Sequence, residues 1–379
     1  MQNVEILAIT KNGVGTGLKI LESFPEWAVH APDKFATAYK GNKRVEWYAE
    51  PTSAKIASLF ERCEGLVCLF SLGATIRLIA PHMKSKKTDP AVLVIDEEAN
   101  FVISVLSGHI GGANRLAGSI AERLGAQPVI TTAADVKGTI AVDMVGRDLG
   151  WVIEDDAAVT AVSALMVNGE KIGVYQDAGR RDWYGGGGGM GNRKQLPANV
   201  TTYETLEELN SSDAKAHLII SDKIITRHGG GDVHTVVYRP PTLIVGVGLH
   251  RDTTAETITG GIRRTLEERG LSIKSVAGLA SIRKSRDGSG DVPGLAKAAE
   301  DLGVPLTLLA RELLAGVNVP NPSRVVQAFE GTPSVSEAAC MVVAATVEGG
   351  DGSAPCSLVV EKQKFPPDLT VAVARREAV

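Results

Sequence analysis

The feature that most constrains the fold is an alternation of short apolar runs with helical patterns from Val4 to Thr132. Five runs rich in β-branched residues, VEILAIT, GLVCLFS, AVLVID, FVISVL and PVITT, are separated by amphipathic segments at about 14–24, 52–62, 73–81 and 113–124. This order is typical of βα units around a largely parallel sheet. The runs lack a strict polar alternation, as expected of strands that are covered on both faces. The sequence therefore predicts an α/β domain over residues 1–137.

The rest of the chain divides at two changes of composition. Residues 138–240 mix strand-like and helical segments and contain YGGGGGMGNRK, whose five consecutive glycines predict a flexible loop. Two prolines then precede the run LIVGVG, and the βα rhythm continues from there to the terminus. We predict a multi-domain α/β protein in which two Rossmann-like βα domains, 1–137 and 241–379, flank a smaller α+β middle domain at 138–240.

Composition and charge exclude several classes of function. The chain has 40 Lys and Arg against 44 Asp and Glu, a net charge of −4, and shows no basic stripe or aromatic platform, so no nucleic-acid partner is expected. Its longest apolar runs, of about nine residues, fall short of the roughly 20 that a membrane span needs, and the N-terminus lacks the pattern of a signal peptide. The four cysteines follow no metal-ligand spacing. We expect a cytoplasmic protein without membrane contact, with reduced cysteines and no metal site of its own.

Two glycine-rich stretches imitate dinucleotide-binding fingerprints. Gly13, Gly15 and Gly17 follow the first run, and Gly246 and Gly248 lie in LIVGVG. Neither stretch continues with the third small residue and the acidic residue about 20 positions on that the G-x-G-x-x-G fingerprint requires. A nucleotide-binding Rossmann enzyme is therefore a minor alternative, which binding of an adenine nucleotide would reveal.

The stretch LSGHIGGANRLAGSIAERLGA places a histidine between glycines at a strand-to-helix corner. Its glycines allow a sharp turn, and the N–H groups that open the following helix are expected to face the same crevice, which suits anions. A hydroxyl, an imidazole and an amide share one rim of that crevice. The candidate site residues here are Ser107, Gly108, His109, Gly111, Gly112 and Asn114. They form a functional site if the turn lies at the carboxyl edge of the sheet, and a mere packing turn is the alternative.

Four more candidates lie at predicted strand ends. Thr131, Thr132 and Asp135 come at the end of the run PVITT, where ligand contacts gather in such sheets, although an N-cap and turn cluster would explain them equally well. Asp96 ends AVLVID and is a candidate to orient His109 or to carry a proton, with a capping role as the alternative.

The corner and the QPVITTAAD that follows it closely resemble the N-terminal signature of the cobalt-precorrin 5A hydrolases of oxygen-independent cobalamin biosynthesis. The preceding segment, SLGATIRLIAPHMKSKKTDPAVLVIDEEANFVI, is similar to that family's, and VDMVGRDLGWVIED resembles its middle domain. Three further segments are similar to the C-terminal domain of the family: PGLAKAAEDLGVPL, TPSVSEAAC and VEKQKFPPDLTVAVAR. The upstream positions that match are Gly73, Arg77, Pro81, Lys86, Asp89, Pro90 and Asp96.

One position departs from the family pattern. The family often has Cys and Arg after the Gly-x-Gly of its third domain, whereas this chain has Leu249 and His250. We therefore expect His250 to contact a substrate carboxylate rather than to take part in catalysis, with a solvated loop histidine as the alternative.

The resemblance implies a reaction in which the lactone between the ring A acetate and C20 is opened and C20 leaves with its methyl as acetaldehyde. Lactone opening by water needs a base, donors for the oxyanion and an acid for the departing alkoxide. We assign the base to His109, held neutral by the helix N-terminus, and the oxyanion donors to Ser107 and the loop N–H groups. An acyl-serine route through Ser107 is the alternative.

The implied substrate is a tetrapyrrole that carries many acetate and propionate groups, so several anion contacts are expected. The predicted substrate-binding residues are Gly73, Arg77, Lys86, Gly108, Gly111, Gly112, Asn114, Thr131, Thr132 and His250. No cofactor is expected, because cobalt arrives inside the macrocycle. A homodimer and association with other cobalamin-pathway enzymes stay open, and a non-catalytic carrier of corrinoid intermediates is the alternative function.

Overall fold

The computed structural model describes residues 1, 3–85, 88–184, 195–225, 233–283, 292–346 and 355–377. The chain forms two compact units, Met1–Met144 and Val145–Val379, and its described strands form three sheets. The predicted fold class, a multi-domain α/β protein, is confirmed. The glycine run at 185–189 lies outside the described residues. Within them, every helix is too short or too polar to cross a bilayer.

The first unit is a seven-stranded sheet with helices on both faces. Its strands are β1 (Val4–Ala8), β2 (Ala28–Pro32), β3 (Val45–Tyr48), β4 (Gly65–Leu69), β5 (Ala91–Ile95), β6 (Phe101–Leu106) and β7 (Gln127–Val129). Its helices are α1 (Lys11–Ser23), α2 (Thr52–Arg62), α3 (Leu72–Ile79), α4 (Ala113–Leu124) and α5 (Ala133–Lys137). Alternate residues of β1 enter different cores: Ile6 packs with α1 and α4, and Leu7 packs with α2 and α3. This two-sided burial explains the continuous apolar runs.

One pair of strands reverses direction within this sheet. The strand order is β3-β2-β1-β4-β5-β6-β7, and every pair is parallel except β5 and β6, in which Val92 faces Leu106 and Ile95 faces Val102. The five residues between them are too few for the crossover that a parallel pair requires. The carboxyl ends of β6 and β7 therefore lie at the edge where β5 begins, opposite the carboxyl ends of β1 to β5.

Two strands of this sheet were not predicted from the sequence. The segments β2 and β3 extend the sheet beyond the five predicted runs, and β2 buries His30 completely, with its Nε2 2.7 Å from the carboxylate of Glu5. The first glycine-rich stretch also differs from its expected form, because its three glycines lie inside α1 rather than in a turn. A Cβ on Gly17 would come within 3.2 Å of the Val29 side chain, so this glycine allows the helix to pack closely on β2.

The second unit contains two sheets. The first has strands β8 (Val152–Ile153), β9 (Ile172–Gln176), β10 (Val200–Tyr203), β11 (Ala216–Ile220) and β12 (His234–Arg239), with helices α6 (Val159–Val167) and α7 (Leu206–Asn210). Its order is β10-β9-β11-β12-β8, and only the short β8 is antiparallel to its neighbour. The sheet of the middle region is thus mostly parallel, whereas the sequence predicted an α+β arrangement there.

The other sheet of this unit begins at the run LIVGVG. Its strands are β13 (Leu243–Leu249), β14 (Val276–Ile282), β15 (Leu306–Leu309), β16 (Cys356–Phe365) and β17 (Leu369–Arg376), in the order β15-β14-β13-β17-β16. Its helices are α8 (Ala255–Glu268), α9 (Pro293–Leu302), α10 (Arg311–Ala315), α11 (Arg324–Glu330) and α12 (Val335–Ala345). The buried Asp222, beyond β11, accepts hydrogen bonds from Arg375 of β17 (2.7 Å) and from Thr242 (2.7 Å), which ties the two sheets together.

Gly246 of β13 should tolerate no side chain, because an added Cβ would lie 1.9 Å from the backbone oxygen of Ser336 in α12. We expect Gly246→Ala to lower the free energy of unfolding by about 1–3 kcal/mol or more. Gly260→Ala, at an exposed position of α8 with no atom within 4 Å of the new Cβ, should raise it by up to about 1 kcal/mol. Urea unfolding followed by circular dichroism measures both changes, and equal stability of the two variants would contradict this account of the strand–helix contact.

Candidate functional site

The glycine turn after β6 is closed by its own backbone. The carbonyls of Ser107 and Gly108 accept hydrogen bonds from the N–H groups of Ala113 (3.2 Å) and Asn114 (3.0 Å), and the carbonyl of His109 accepts one from Gly112 (3.0 Å). The expectation that the first N–H groups of α4 face a ligand is therefore wrong for Ala113 and Asn114. These donors bind carbonyls of the turn instead.

Crowding explains the glycines of this turn. A Cβ on Gly111 would lie 2.3 Å from the Cβ of Ser107, and one on Gly108 would lie 2.7 Å from Oδ1 of Asn114. Gly112 has a φ of +83°, in the left-handed region that favours glycine. Ser107 itself has a φ of +55°, which is uncommon for a residue with a side chain. The turn thus holds its polar side chains on a strained and tightly packed backbone.

The Ser107 hydroxyl is directed away from the imidazole. Its Oγ donates a hydrogen bond to the backbone carbonyl of Asp89 at 2.9 Å, just before β5. The Asp89 side chain in turn accepts from the N–H groups of Lys84 and Ser85. Ser107 therefore connects the turn to the start of the neighbouring strand.

Asn114, in the first turn of α4, is the centre of the hydrogen-bond network. Its amide nitrogen donates to Oγ1 of Thr132 (2.9 Å) and to Oδ2 of Asp135 (2.7 Å), and its amide oxygen accepts from Ser104 (2.7 Å). The side chain is buried and uses both amide N–H groups, so it fixes the position of the Asp135 carboxylate rather than offering a donor to a ligand.

His109 lies between two carboxylates. Its Nε2 is 2.9 Å from Oδ2 of Asp135, and its Nδ1 is 3.4 Å from Oδ1 of Asp143 in the short helical turn Val142–Met144. The side chain of His109 is 18% exposed and that of Asp135 is 43% exposed, so solvent reaches one side of the His109–Asp135 pair. A histidine held in this way can exchange a proton with a bound molecule while a carboxylate fixes its orientation.

The two carboxylates favour the charged imidazole. Hydrogen bonding to Asp143, and then to Asp135, raises the pKa of His109 above its usual 6.5, against the opposing effect of burial. This direction is opposite to the one expected from the helix N-terminus, which would favour the neutral imidazole. The stabilisation that this pairing gives to the fold is complete below the unfolded-state pKa and is lost as the pH rises through the raised folded-state pKa.

The structure brings together only part of the predicted site. Thr131 and Thr132 follow β7, which ends at the same sheet edge as β6, and they lie beside the glycine turn. Asp96 lies at the other end of β6, about 20 Å away along the strand, where it accepts from the Phe101 N–H at 2.6 Å. Its predicted contact with His109 is wrong, because the antiparallel strand separates the two residues.

The predicted binding residues outside the turn lie elsewhere. Gly73 and Arg77 are on α3, which starts at the carboxyl end of β4 and so at the edge opposite His109, and the Arg77 guanidinium donates back to the Gly73 carbonyl at 3.2 Å. Lys86 lies outside the described residues. His250 belongs to the second unit, where its N–H donates to the Asp368 carbonyl.

The sequence analysis missed one partner of the imidazole and the role of the other. Asp135 was a candidate beside the two threonines but was not expected to contact His109, and Asp143 lies in VDMVGRD, a segment that no pattern marked as part of the site. Across the described ranges, no group of three or more His, Cys, Asp or Glu side chains could hold a metal ion. The site is thus an imidazole flanked by carboxylates, with acid–base chemistry as its evident capability.

Comparison with family models covers most of the chain in three pieces. Residues 54–135 match the model described as "Cobalamin synthesis G N-terminal", residues 140–240 match "Cobalamin biosynthesis central region", and residues 243–374 match "Cobalamin synthesis G C-terminus". The glycine turn, His109 and Asp135 all fall inside the first match. The three matches together define a multidomain protein of cobalamin synthesis.

Individual relatives agree with this class. The cobalt-precorrin-5A hydrolase of Priestia megaterium is 37% identical over 338 residues, which are 89% of this chain and 88% of that protein. The cobalt-precorrin-5A hydrolase of Salmonella typhimurium is 28% identical over 67% of this chain and 68% of its own. A solved cobalamin biosynthesis protein G homolog from Sulfolobus solfataricus is 20% identical, covers 99% of this chain and 98% of its own, and has a TM-score of 0.36. The chain therefore belongs to the cobalt-precorrin-5A hydrolase family, and it is a hydrolase of cobalamin biosynthesis.

Replacing Asp143 by Asn should lower the pKa of His109, because the largest of the interactions that raise it is lost. Titration of the histidine ring protons by NMR measures the pKa, and the His109 signal is assigned by its absence in His109→Gln. We expect a wild-type value above 6.5 and a lower one in Asp143→Asn. Asp96→Asn is the matched control and should leave the titration unchanged. Identical titrations of all three proteins would refute the pairing described above.

Proposed function

We propose that this hydrolase opens the ring A lactone of cobalt-precorrin 5A by attack of water and releases C20 as acetaldehyde, to give cobalt-precorrin 5B. The observation that carries the proposal is the imidazole of His109 between Asp135 and Asp143, on a turn whose backbone holds it in one place. The names of the two relatives support the choice of substrate. The protein would work in the cytoplasm without a resident cofactor, because the substrate carries the cobalt.

In the proposed first step His109 acts as the base. Asp135 accepts from Nε2–H at 2.9 Å and fixes the ring, while the longer contact of 3.4 Å between Nδ1 and Asp143 is the one that a water molecule replaces. Nδ1 takes a proton from the water as its oxygen attacks the lactone carbonyl. Asp135 then stabilises the imidazolium, which returns the proton to the departing C20 alkoxide.

In the second step the C20 hydroxyl loses its proton and C20 leaves with its methyl as acetaldehyde. The electron pair of the broken ring–C20 bond stays on the macrocycle. The same imidazole, neutral again after the first step, is in place to accept the hydroxyl proton. One titrating group can therefore serve both steps.

The contacts of Ser107 support attack by water over an acyl-serine route. Its proton is donated to the Asp89 carbonyl at 2.9 Å rather than to a ring nitrogen of His109, so the hydroxyl lacks the hydrogen-bonded base that a serine nucleophile needs. Ser107 could donate to the oxyanion only by leaving Asp89. In this proposal Arg77, which is exposed at the opposite sheet edge, supplies long-range positive charge for the polyanionic substrate rather than a contact at the reacting bond.

His109→Gln should fold normally and release acetaldehyde at least ~100-fold more slowly than the wild type, since general-base help is typically worth about 10² to 10⁴ in rate. Ser107→Ala should stay within several-fold of the wild type. The wild-type rate should rise with pH through the raised pKa of His109, because only the neutral ring accepts a proton. Single-turnover acetaldehyde formation against pH measures all three effects.

Asp96→Asn serves as the matched control, since it removes a carboxylate from the other end of β6. It should keep the wild-type rate and pH profile. An inactive Ser107→Ala together with a nearly normal His109→Gln would replace water attack by the acyl-serine route. Acetaldehyde that does not increase with the amount of enzyme would instead favour the carrier of corrinoid intermediates.

A further inference from the structure

A large cleft opens at one edge of the sheet that contains β13 to β17. Its volume is about 880 Å³, and its walls come from the carboxyl ends of β13 and β14, the turn between β16 and β17, and helix α11. Pockets for small molecules and cofactors usually enclose ~300–1,000 Å³. In open α/β sheets, ligands bind beyond the carboxyl ends of parallel strands, as this cleft does. The residues that line the cleft all belong to the second unit, and none of them contacts His109.

One wall of the cleft is apolar and exposed. Helix α11 contributes Val325 and Phe329, four residues apart and so on the same face, and these side chains are 66% and 78% exposed. No residue of this helix is buried. Large apolar side chains gathered on the wall of a cleft typically mark a surface that binds a ligand or a partner. Pro320 and Pro322 extend the same wall.

The opposite wall is cationic. Lys362 and Lys364 stand two residues apart on β16 and both line the cleft. The Lys362 ammonium donates to the Asn321 carbonyl, and burial lowers its pKa. In the part of the chain that the structure describes, neither ammonium forms an ion pair with a carboxylate.

The remaining charges of the cleft leave this positive character in place. Of the two acidic residues on the lining, Glu330 is paired with Arg311 at 3.3 Å and Asp368 carries the other negative charge. The buried carboxylate of Glu337, which accepts from the Lys362 backbone N–H at 3.1 Å, favours the charged form of Lys362. The exposed imidazole of His250 lies on the same lining. A ligand that fits must therefore offer a broad apolar face and anionic groups at its periphery.

We propose that this cleft binds the macrocycle of a carboxylate-bearing tetrapyrrole, with one face of the ring system against Val325 and Phe329 and its acetate or propionate arms on Lys362, Lys364 and His250. A flat ring with charged arms matches both walls at once, whereas a simple anion would leave the apolar wall exposed. The inference rests on the proposed function, because it assigns the site that holds the substrate. It also gives His250 the carboxylate contact expected from the sequence.

Binding is tested on the full-length protein with dicyanocobyrinic acid, a stable cobalt corrinoid whose arms are free carboxylates. Its Kd is measured by isothermal titration calorimetry. Phe329→Ser should weaken binding by at least ~10-fold, since it removes the exposed aromatic side chain that the ring system would cover on binding. Lys364→Gln should weaken it several-fold, and added salt should weaken the wild type more than this variant.

The chain offers matched controls for both changes. Leu313→Ser removes an exposed apolar side chain from α10, outside the cleft lining, and Lys297→Gln removes an exposed lysine from α9. Both should keep the wild-type Kd. Cyanocobalamin, whose arms are amides, should bind more weakly than the acid. Equal affinity in the cleft variants and in the controls overturns the proposal.

Two further outcomes separate this inference from its alternatives. If the corrinoid-free protein dimerises by sedimentation velocity and Phe329→Ser abolishes the dimer without changing the Kd, the cleft is an interface between two copies and the proposal is wrong. If Phe329→Ser and Lys364→Gln release acetaldehyde with an unchanged KM, the cleft assignment fails and the proposed function stands. If the wild-type protein binds the corrinoid but releases no acetaldehyde, and these variants lose the binding, the cleft assignment is supported. The proposed function is then overturned.

Discussion

The position of the acid–base site depends on the five-residue connection between β5 and β6. Within it Asp96 accepts from the Phe101 N–H, and Ala99 adopts a φ of +55°, so the chain turns back on itself. A connection this short cannot cross the sheet, and β6 must run antiparallel to β5. The glycine turn and the segment after β7 are thereby placed at the edge where β5 begins. They lie close to the Asp89 carbonyl and at the edge opposite the carboxyl ends of β1 to β5.

Local signals in the sequence were sufficient for part of the fold. The helices at 52–62 and 113–124 have the predicted bounds because Pro51 precedes the first and Gly112 and Gly125 flank the second, and both have a regular apolar period. The strands β2 and β3 carried no such signal. The buried His30 of β2 is compatible with a core because Glu5 of β1 and Glu46 of β3 lie beside its two ring nitrogens.

The same distinction applies to the site. Its contiguous part was predictable, because Ser107 to Asn114 form one strand-to-helix corner. The contact of His109 with two carboxylates was not, since Asp135 and Asp143 come from later segments and meet the ring only through the tertiary fold. The assumption of a parallel sheet also placed Asp96 at the wrong edge. The short spacing between AVLVID and FVISVL was the available signal against that assumption.

The location of Asp143 has a consequence for where this protein can be divided. The regular strand–helix pattern ends at Lys137, and the N-terminal family match ends at residue 135, yet Asp143 lies beyond both limits. A fragment cut at either limit would keep the imidazole and lose one of the two negative charges that set its affinity for a proton. The segment that follows α5 is therefore a component of the acid–base apparatus, and the boundary of the chemical unit lies further along the chain than the boundary of the sheet.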